Sequence, residues 1–95
     1  MNFMFFVYIL ANKPYGTIYV GFTNNLAIRV EAHKLKAVAG FTGAYEIDRL
    51  VWYEVHEELM AARTREKQIK KWNRDWKINL IQSKNPEWRD LSNEI

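Results

Sequence analysis

The sequence predicts an α+β fold, with a three-stranded antiparallel sheet flanked by about three helices. Three observations support this prediction. Two strand-like apolar runs joined by a turn begin the chain, a third such run lies near its middle, and the second half has apolar residues at helical spacing. A length of 95 residues fits one domain over residues 1–95, with 85–95 as a C-terminal tail packed on it.

The strands are predicted from composition. Residues 3–11 (FMFFVYILA) are rich in aromatic and β-branched side chains, and so are residues 17–23 (TIYVGFT). Between them, residues 12–16 supply Asn, Pro and Gly, which are the residues of a turn, so the two runs should form an antiparallel hairpin. Residues 38–46 read as a loop, and residues 48–55 (DRLVWYEV) predict the third strand.

The short turn also predicts how the hairpin strands are paired. If Ala11 faces Gly16, alternation places Tyr8 directly opposite Tyr19 on one face of the sheet. Gly21 would then leave room beside the two rings for a ligand to approach. The alternative is that both tyrosines are ordinary strand aromatics.

Two of the helices are predicted to begin at asparagine caps. Asn24 and Asn25, both good cap residues, precede an apolar spacing that starts at Leu26, and Asn73 precedes a helix over residues 74–83. The first of these helices carries Arg29 and His33 four residues apart, on one side. A guanidinium beside an imidazole suits a phosphate, although the pair would also fit a plain helix surface.

A third helix, over residues 57–71, contains a misplaced carboxylate. Glu66 lies in the apolar stripe that includes Ala62 and Ile69. A buried carboxylate without a partner is costly, so Glu66 should be paired, neutralised or bound to a cation. Either it holds a hard cation such as Mg²⁺, or it lies at the edge of the stripe and pairs with Lys70.

Charge and composition narrow the classes of function. The net charge is +3, and the basic residues concentrate on the second half of the chain, which suits a polyanion such as nucleic acid but also a solvated helix face. The residues predicted to contact nucleic acid are Arg63, Lys67, Lys70, Lys71 and Arg74. The absence of cysteine excludes disulfides, thiolate zinc sites and a cysteine nucleophile.

The chain is expected to be cytoplasmic and to contact no membrane. The apolar run at residues 3–11 is shorter than the about 20 residues of a spanning helix, and it lacks the features of a signal peptide. The sequence also contains no glycine-rich phosphate loop and no HExxH motif.

Several short motifs resemble one family of nucleases. Phe6-Val7-Tyr8, Tyr19-Val20-Gly21 and an arginine in the following helix, Arg29, occur in the order and spacing of the GIY-YIG nuclease superfamily. Residues 65–72 (REKQIKKW) and 85–91 (NPEWRDL) resemble its small stand-alone members, which are similar to the nuclease domain of the excinuclease C subunit.

This resemblance implies an endonuclease that cuts DNA with a single Mg²⁺ or Mn²⁺ ion, in repair or recombination. By position, Tyr8 and Tyr19 match the two motif tyrosines, and Arg29 matches the catalytic arginine. Glu66 matches the metal-binding glutamate, and His33 matches a histidine found near the arginine in several branches. Asn85 is the nearest candidate for an asparagine of the final helix.

The chain also departs from the family pattern. Phe6 stands where the first motif usually has glycine, and Phe22 stands where the excinuclease domain has lysine. The identity of the general base also stays open. Tyrosine has an ordinary pKa of about 10, which Arg29 and a metal would lower, whereas His33 starts from about 6.5.

Three functions are compatible with these residues. The first is a metal-dependent endonuclease, the second a catalytically weak nucleic-acid-binding module of the same fold, and the third a protein-interaction domain that uses its Trp and Tyr residues. A partner protein or a homodimer is expected to supply specificity.

Overall fold

The computed structural model describes residues 4–35 and 46–95, so most of the predicted loop over residues 38–46 and the first residue of the predicted N-terminal strand lie outside it. One antiparallel sheet has the strand order β2-β1-β3, with β1 Phe5–Ala11, β2 Ile18–Thr23 and β3 Arg49–His56. The helices are α1 Leu26–Lys34, α2 Leu59–Lys71 and α3 Arg74–Lys84, followed by a 3-10 helix, Leu91–Glu94. The predicted α+β fold is therefore confirmed.

The register of the hairpin differs from the predicted one by two residues. Leu10 lies opposite Tyr19, and Tyr8 lies opposite Gly21. The connection is longer than predicted because the Asn12 side chain closes a wider loop, accepting a hydrogen bond from the Thr17 amide at 2.9 Å. A shift of two residues preserves the face of every side chain, so the two tyrosines still share a face as diagonal neighbours.

Both faces of the sheet are buried. One face packs against α2 and α3 through an apolar cluster whose members are Val7, Ile9, Ala11, Val20, Val51, Trp52, Ala62, Ile69, Ile81 and Trp88. The other face packs against α1 and the C-terminal segment, through Tyr8, Leu10, Leu26, Val30, Ile47, Leu50 and Leu91. We call these the apolar face and the tyrosine face.

A β-bulge interrupts the third strand. Leu50 pairs with Leu10 and Trp52 pairs with Ile9, which leaves Val51 as an extra residue. The Asn85 side chain donates a hydrogen bond to the Val51 carbonyl at 3.1 Å. Asn85 is therefore the partner of a backbone group at the site of the bulge.

The helix caps agree with the predictions. The Asn25 side chain accepts from the Ile28 amide at 3.1 Å, and the Asn73 side chain accepts from the Trp76 amide at 2.9 Å. Each bond satisfies one of the free amides at a helix start. Within residues 4–35 and 46–95, no helix is long and apolar enough to cross a membrane.

Candidate active site

Four of the residues singled out in the sequence meet on the tyrosine face. Tyr8 is fully buried in the central strand, and its ring lies 6.4 Å from that of Tyr19 and 6.2 Å from that of His33, centroid to centroid. The rings of Tyr19 and His33 are 5.7 Å apart. Arg29, one helical turn before His33 on α1, completes the group, which we call the tyrosine cluster.

The position of Tyr8 depends on Gly21. A Cβ atom at Gly21 would lie 2.4 Å from Cζ and 2.5 Å from the hydroxyl oxygen of Tyr8. The space that the sequence assigned to a ligand is therefore filled by the phenol of Tyr8 itself, and that prediction is wrong. Glycine is needed here because the ring lies across its backbone.

The hydroxyl of Tyr8 joins two neighbours from α1. Arg29 donates from Nε to the Tyr8 oxygen at 3.4 Å, and His33 Nε2 lies 3.4 Å from the same oxygen. Arg29 can only donate, so the Tyr8 oxygen accepts from it, whereas the donor in the contact with His33 depends on the tautomer of the imidazole. In the tautomer whose Nε2 carries no proton, Tyr8 donates to His33, and the contact is a path for proton transfer from Tyr8 to His33.

Burial sets the protonation states of Tyr8 and His33. It raises the pKa of Tyr8; the hydrogen bond from Arg29 opposes this effect, and charge interactions with Tyr19 and Glu66 add to it. The expected lowering by Arg29 is thus present but outweighed. Burial lowers the pKa of His33, the charge of Arg29 lowers it further, and Asp48 opposes both. Near pH 7 the cluster therefore holds a neutral phenol beside a neutral imidazole.

Arg29 keeps its positive charge throughout. Its hydrogen bond to Tyr8 raises the pKa of its guanidinium, and interactions with Tyr19 act in the same direction. Arg29 is thus a permanent cation in contact with both phenol rings, and a guanidinium binds phosphate oxygens well.

Glu66 approaches the cluster from α2. Its charge acts on Tyr8, and its side chain is only 15% exposed. Its carboxylate also pairs with Lys70 Nζ at 3.0 Å, with Lys70 48% exposed. The ion pair with Lys70 and the charge interaction with Tyr8 occur together, and an ion pair with such an exposed partner contributes little to stability.

The donor set fits a metal that keeps most of its water. The described residues, 4–35 and 46–95, include no group of three or more His, Cys, Asp or Glu side chains able to hold an ion. Mg²⁺ is commonly bound through one or two carboxylates, with water and substrate phosphate as the other ligands. Glu66 fits that pattern as the single protein ligand.

The other predicted site residues are spread over the surface. The guanidinium of Arg63 lies 5.8 Å from the ring centroid of Phe22, and Lys67 and Lys71 are exposed on α2. Arg74 donates to the carbonyls of Tyr15 and Gly16 in the hairpin loop, at 2.7 Å each. Its guanidinium therefore holds the loop against α3.

The side chain of Asn85 forms hydrogen bonds with backbone groups. Besides Val51, its amide nitrogen donates to the Arg89 carbonyl at 2.8 Å, and its oxygen accepts from the Arg89 amide at 3.0 Å. It is 2% exposed. None of its described hydrogen bonds reaches the tyrosine cluster.

Sequence reasoning missed one carboxylate near the cluster and one aromatic pair. Asp48 faces His33 closely enough to affect its pKa. The rings of Phe5 and Phe22 are stacked, with centroids 6.1 Å apart and planes at 11°. The departure from the family pattern at Phe22 was the sequence signal that pointed to this place.

The order of the two tyrosine motifs and the contacts of Tyr8 with Tyr19 and Arg29 can now be compared with known proteins. The family model for the GIY-YIG catalytic domain matches residues 4–79. The chain belongs to the GIY-YIG family. It is 38% identical over 92 residues to a UPF0213 protein from Clostridium perfringens, covering 97% of this chain and 98% of that protein.

Other relatives agree with this membership. A UPF0213 protein from Staphylococcus aureus is 33% identical over 79 residues, which cover 83% of this GIY-YIG chain and 95% of that protein. The solution NMR structure of a UPF0213 protein from Bacillus halodurans superposes with a TM-score of 0.58 at 25% identity, covering 92% of each chain. The predicted resemblance to small stand-alone GIY-YIG proteins is confirmed.

Proposed function

We propose that this GIY-YIG domain is an endonuclease that hydrolyses phosphodiester bonds in DNA with one Mg²⁺ or Mn²⁺ ion. The observation that carries the proposal is the contact of the Tyr8 hydroxyl with both Arg29 and His33, in a buried cluster on which Glu66 also acts. Cutting a phosphodiester requires a base, a cation beside the phosphate and a group that stabilises the transition state. The four side chains supply these functions.

Tyr8 and His33 act together as the base. The Tyr8 oxygen accepts a proton from water while its own proton passes to His33 Nε2, which is neutral near pH 7. The water oxygen then attacks phosphorus, the bond to the leaving oxygen breaks, and solvent protonates the leaving oxygen. This relay suits a tyrosine whose pKa is raised, because the phenolate never has to accumulate.

Arg29 binds the phosphate. Its guanidinium is permanently charged and lies against the Tyr8 hydroxyl, so an oxygen bound to its remaining donors is next to the attacking water. Tyr19 orients the phosphate or the water from the neighbouring strand. A divalent ion held by Glu66 would neutralise charge that develops on the phosphate.

The decisive experiment is nicking of a supercoiled plasmid with Mg²⁺ or Mn²⁺, with EDTA as the blank. We expect the parent to nick, and Glu66→Ala and Arg29→Ala to lose this activity while they stay folded by circular dichroism. Glu57→Ala, which removes an exposed carboxylate outside the cluster, is the matched control and should nick like the parent.

Two outcomes would contradict the proposal. Metal-independent nicking, or nicking that survives Glu66→Ala, would remove the metal role of Glu66. Salt-dependent DNA binding without any nicking would favour the alternative of a catalytically weak binding module, which the ion pair between Glu66 and Lys70 also permits. Repair or recombination as the pathway, a partner protein or homodimer, and the cytoplasmic location all stay predictions.

A further inference from the structure

A cavity of about 480 Å³ adjoins the tyrosine cluster. Its lining residues are Phe5, Phe22, Thr23, Asn24, Arg29 and Leu59. Arg29 is thus common to the cavity and the cluster, since it also donates to Tyr8. A molecule in this cavity would therefore contact Arg29, the residue that is proposed above to bind the phosphate.

One wall of the cavity is aromatic. Phe5 and Phe22 both line it, both are half-buried, and their rings are nearly parallel. Arg63 lies over the Phe22 ring, so a guanidinium borders this wall as well.

We infer that this cavity is a subsite for one unpaired nucleobase, packed against the rings of Phe5 and Phe22 and attached to the phosphate held by Arg29. The inference rests on the proposed nuclease function and adds a substrate preference to it. A base has the planar face that an aromatic ring binds, and base–aromatic stacking tolerates every base.

The charges around the cavity favour a nucleotide over an apolar protein side chain. Arg29 and Arg63 border the aromatic wall, and both match the negative phosphates on either side of a base. An apolar side chain would fill the wall but would leave both guanidinium groups without an anion. Asn24 adds an amide on the rim, which can donate to and accept from the edge of a base.

The test is a binding measurement in EDTA, where no metal-dependent cutting occurs. Fluorescence anisotropy would compare a single-stranded DNA oligonucleotide with an abasic oligonucleotide of the same length, which keeps the phosphates and removes the bases. We expect the parent to bind the abasic strand about ten-fold more weakly. Phe22→Leu should lower affinity for the intact strand by a similar factor and should no longer distinguish the two strands.

Two controls separate stacking from folding. Phe22→Tyr keeps the ring and should behave like the parent, while circular dichroism reports whether Phe22→Leu is folded. A second measurement needs no variant: 2-aminopurine, moved along the strand, should lose fluorescence at one position on binding to the parent, because a stacked fluorophore is quenched.

The subsite is overturned if Phe22→Leu is folded and still discriminates like the parent, or if no 2-aminopurine position responds. Neither result depends on catalysis. If plasmid nicking fails while binding depends on Phe22 in the expected way, the subsite is supported and the endonuclease proposal alone falls. If nicking succeeds and Phe22→Leu binds like the parent, the endonuclease proposal stands and the subsite falls.

Discussion

The two faces of the sheet bury the same strand, β1, in different chemical surroundings. On the apolar face, Val7 and Ile9 are fully buried among aliphatic and aromatic side chains. On the tyrosine face, Tyr8 is equally buried, but its hydroxyl contacts a charged Arg29 and a histidine. A fully buried phenol whose hydroxyl is held by polar groups stabilises the fold little more than an aliphatic side chain would. We therefore assign the chemistry to this face.

The largest expected effect comes from substituting adjacent residues of β1. Tyr8→Phe keeps the ring and removes only the hydroxyl, so it should cost about 1 kcal/mol of stability. If Tyr8 relays the proton, it should also slow nicking by about 10²-fold or more. Ile9→Ala, on the apolar face, should cost about 2–5 kcal/mol of stability because it leaves a cavity, yet it should nick at the parent rate per folded molecule.

Urea unfolding and plasmid nicking on the same preparations would measure both quantities. The contrast between the two faces is refuted if Tyr8→Phe nicks at the parent rate, because the tyrosine face would then have only a structural role, like the apolar face. It also fails if both variants lose stability and activity in the same proportion.

The second prediction concerns pH, which should act on the tyrosine face through His33 and Tyr8. His33 has a lowered pKa, so the unfolded state takes up its proton first, and stability should fall as pH drops below about 6.5. Tyr8 has a raised pKa, so the unfolded state loses its proton first, and stability should fall as pH rises above about 10. Nicking should also decline at low pH, when His33 is protonated and cannot accept the proton of Tyr8.

Urea midpoints across this range, for the parent, His33→Asn and Tyr8→Phe, would check the assignment. His33→Asn should remove the acidic decline that begins near pH 6.5, and Tyr8→Phe should remove the alkaline one. An acidic decline of unchanged size in His33→Asn would mean that other groups cause it.

The difference between the faces also explains what the sequence could and could not predict. The aromatic and β-branched composition of the two strands and the Asn, Pro and Gly of residues 12–16 predicted the hairpin, because these signals are local. The register was missed because it depends on the Asn12 side chain, which closes the loop by binding Thr17. Tyr8 and Tyr19 still share a face only because the error was an even number of residues.

The protonation of the site was not predictable from the motif residues. The sequence places Arg29 near Tyr8 but does not reveal the full burial of Tyr8, which reverses the expected direction of the shift in its pKa.

The contacts of Arg74 were not predictable from the sequence either. Along the chain it resembles Lys71, another basic residue near the end of a helix, yet its guanidinium binds loop carbonyls almost sixty residues away in sequence.

The smallest expected effect separates these two basic residues. Lys71 is exposed on α2, where the described contacts include no ion pair for it, so Lys71→Ala should weaken DNA binding modestly and lower the slope of log affinity against log salt by about 1. Arg74→Ala should leave that slope unchanged, because its guanidinium is bound to Tyr15 and Gly16, and should instead lower the urea midpoint. Anisotropy titrations at several salt concentrations would measure the slope. Equal slopes for Lys71→Ala and the parent would place α2 outside the DNA interface, whereas a reduced slope for Arg74→Ala would return that residue to the interface where the sequence predicted it.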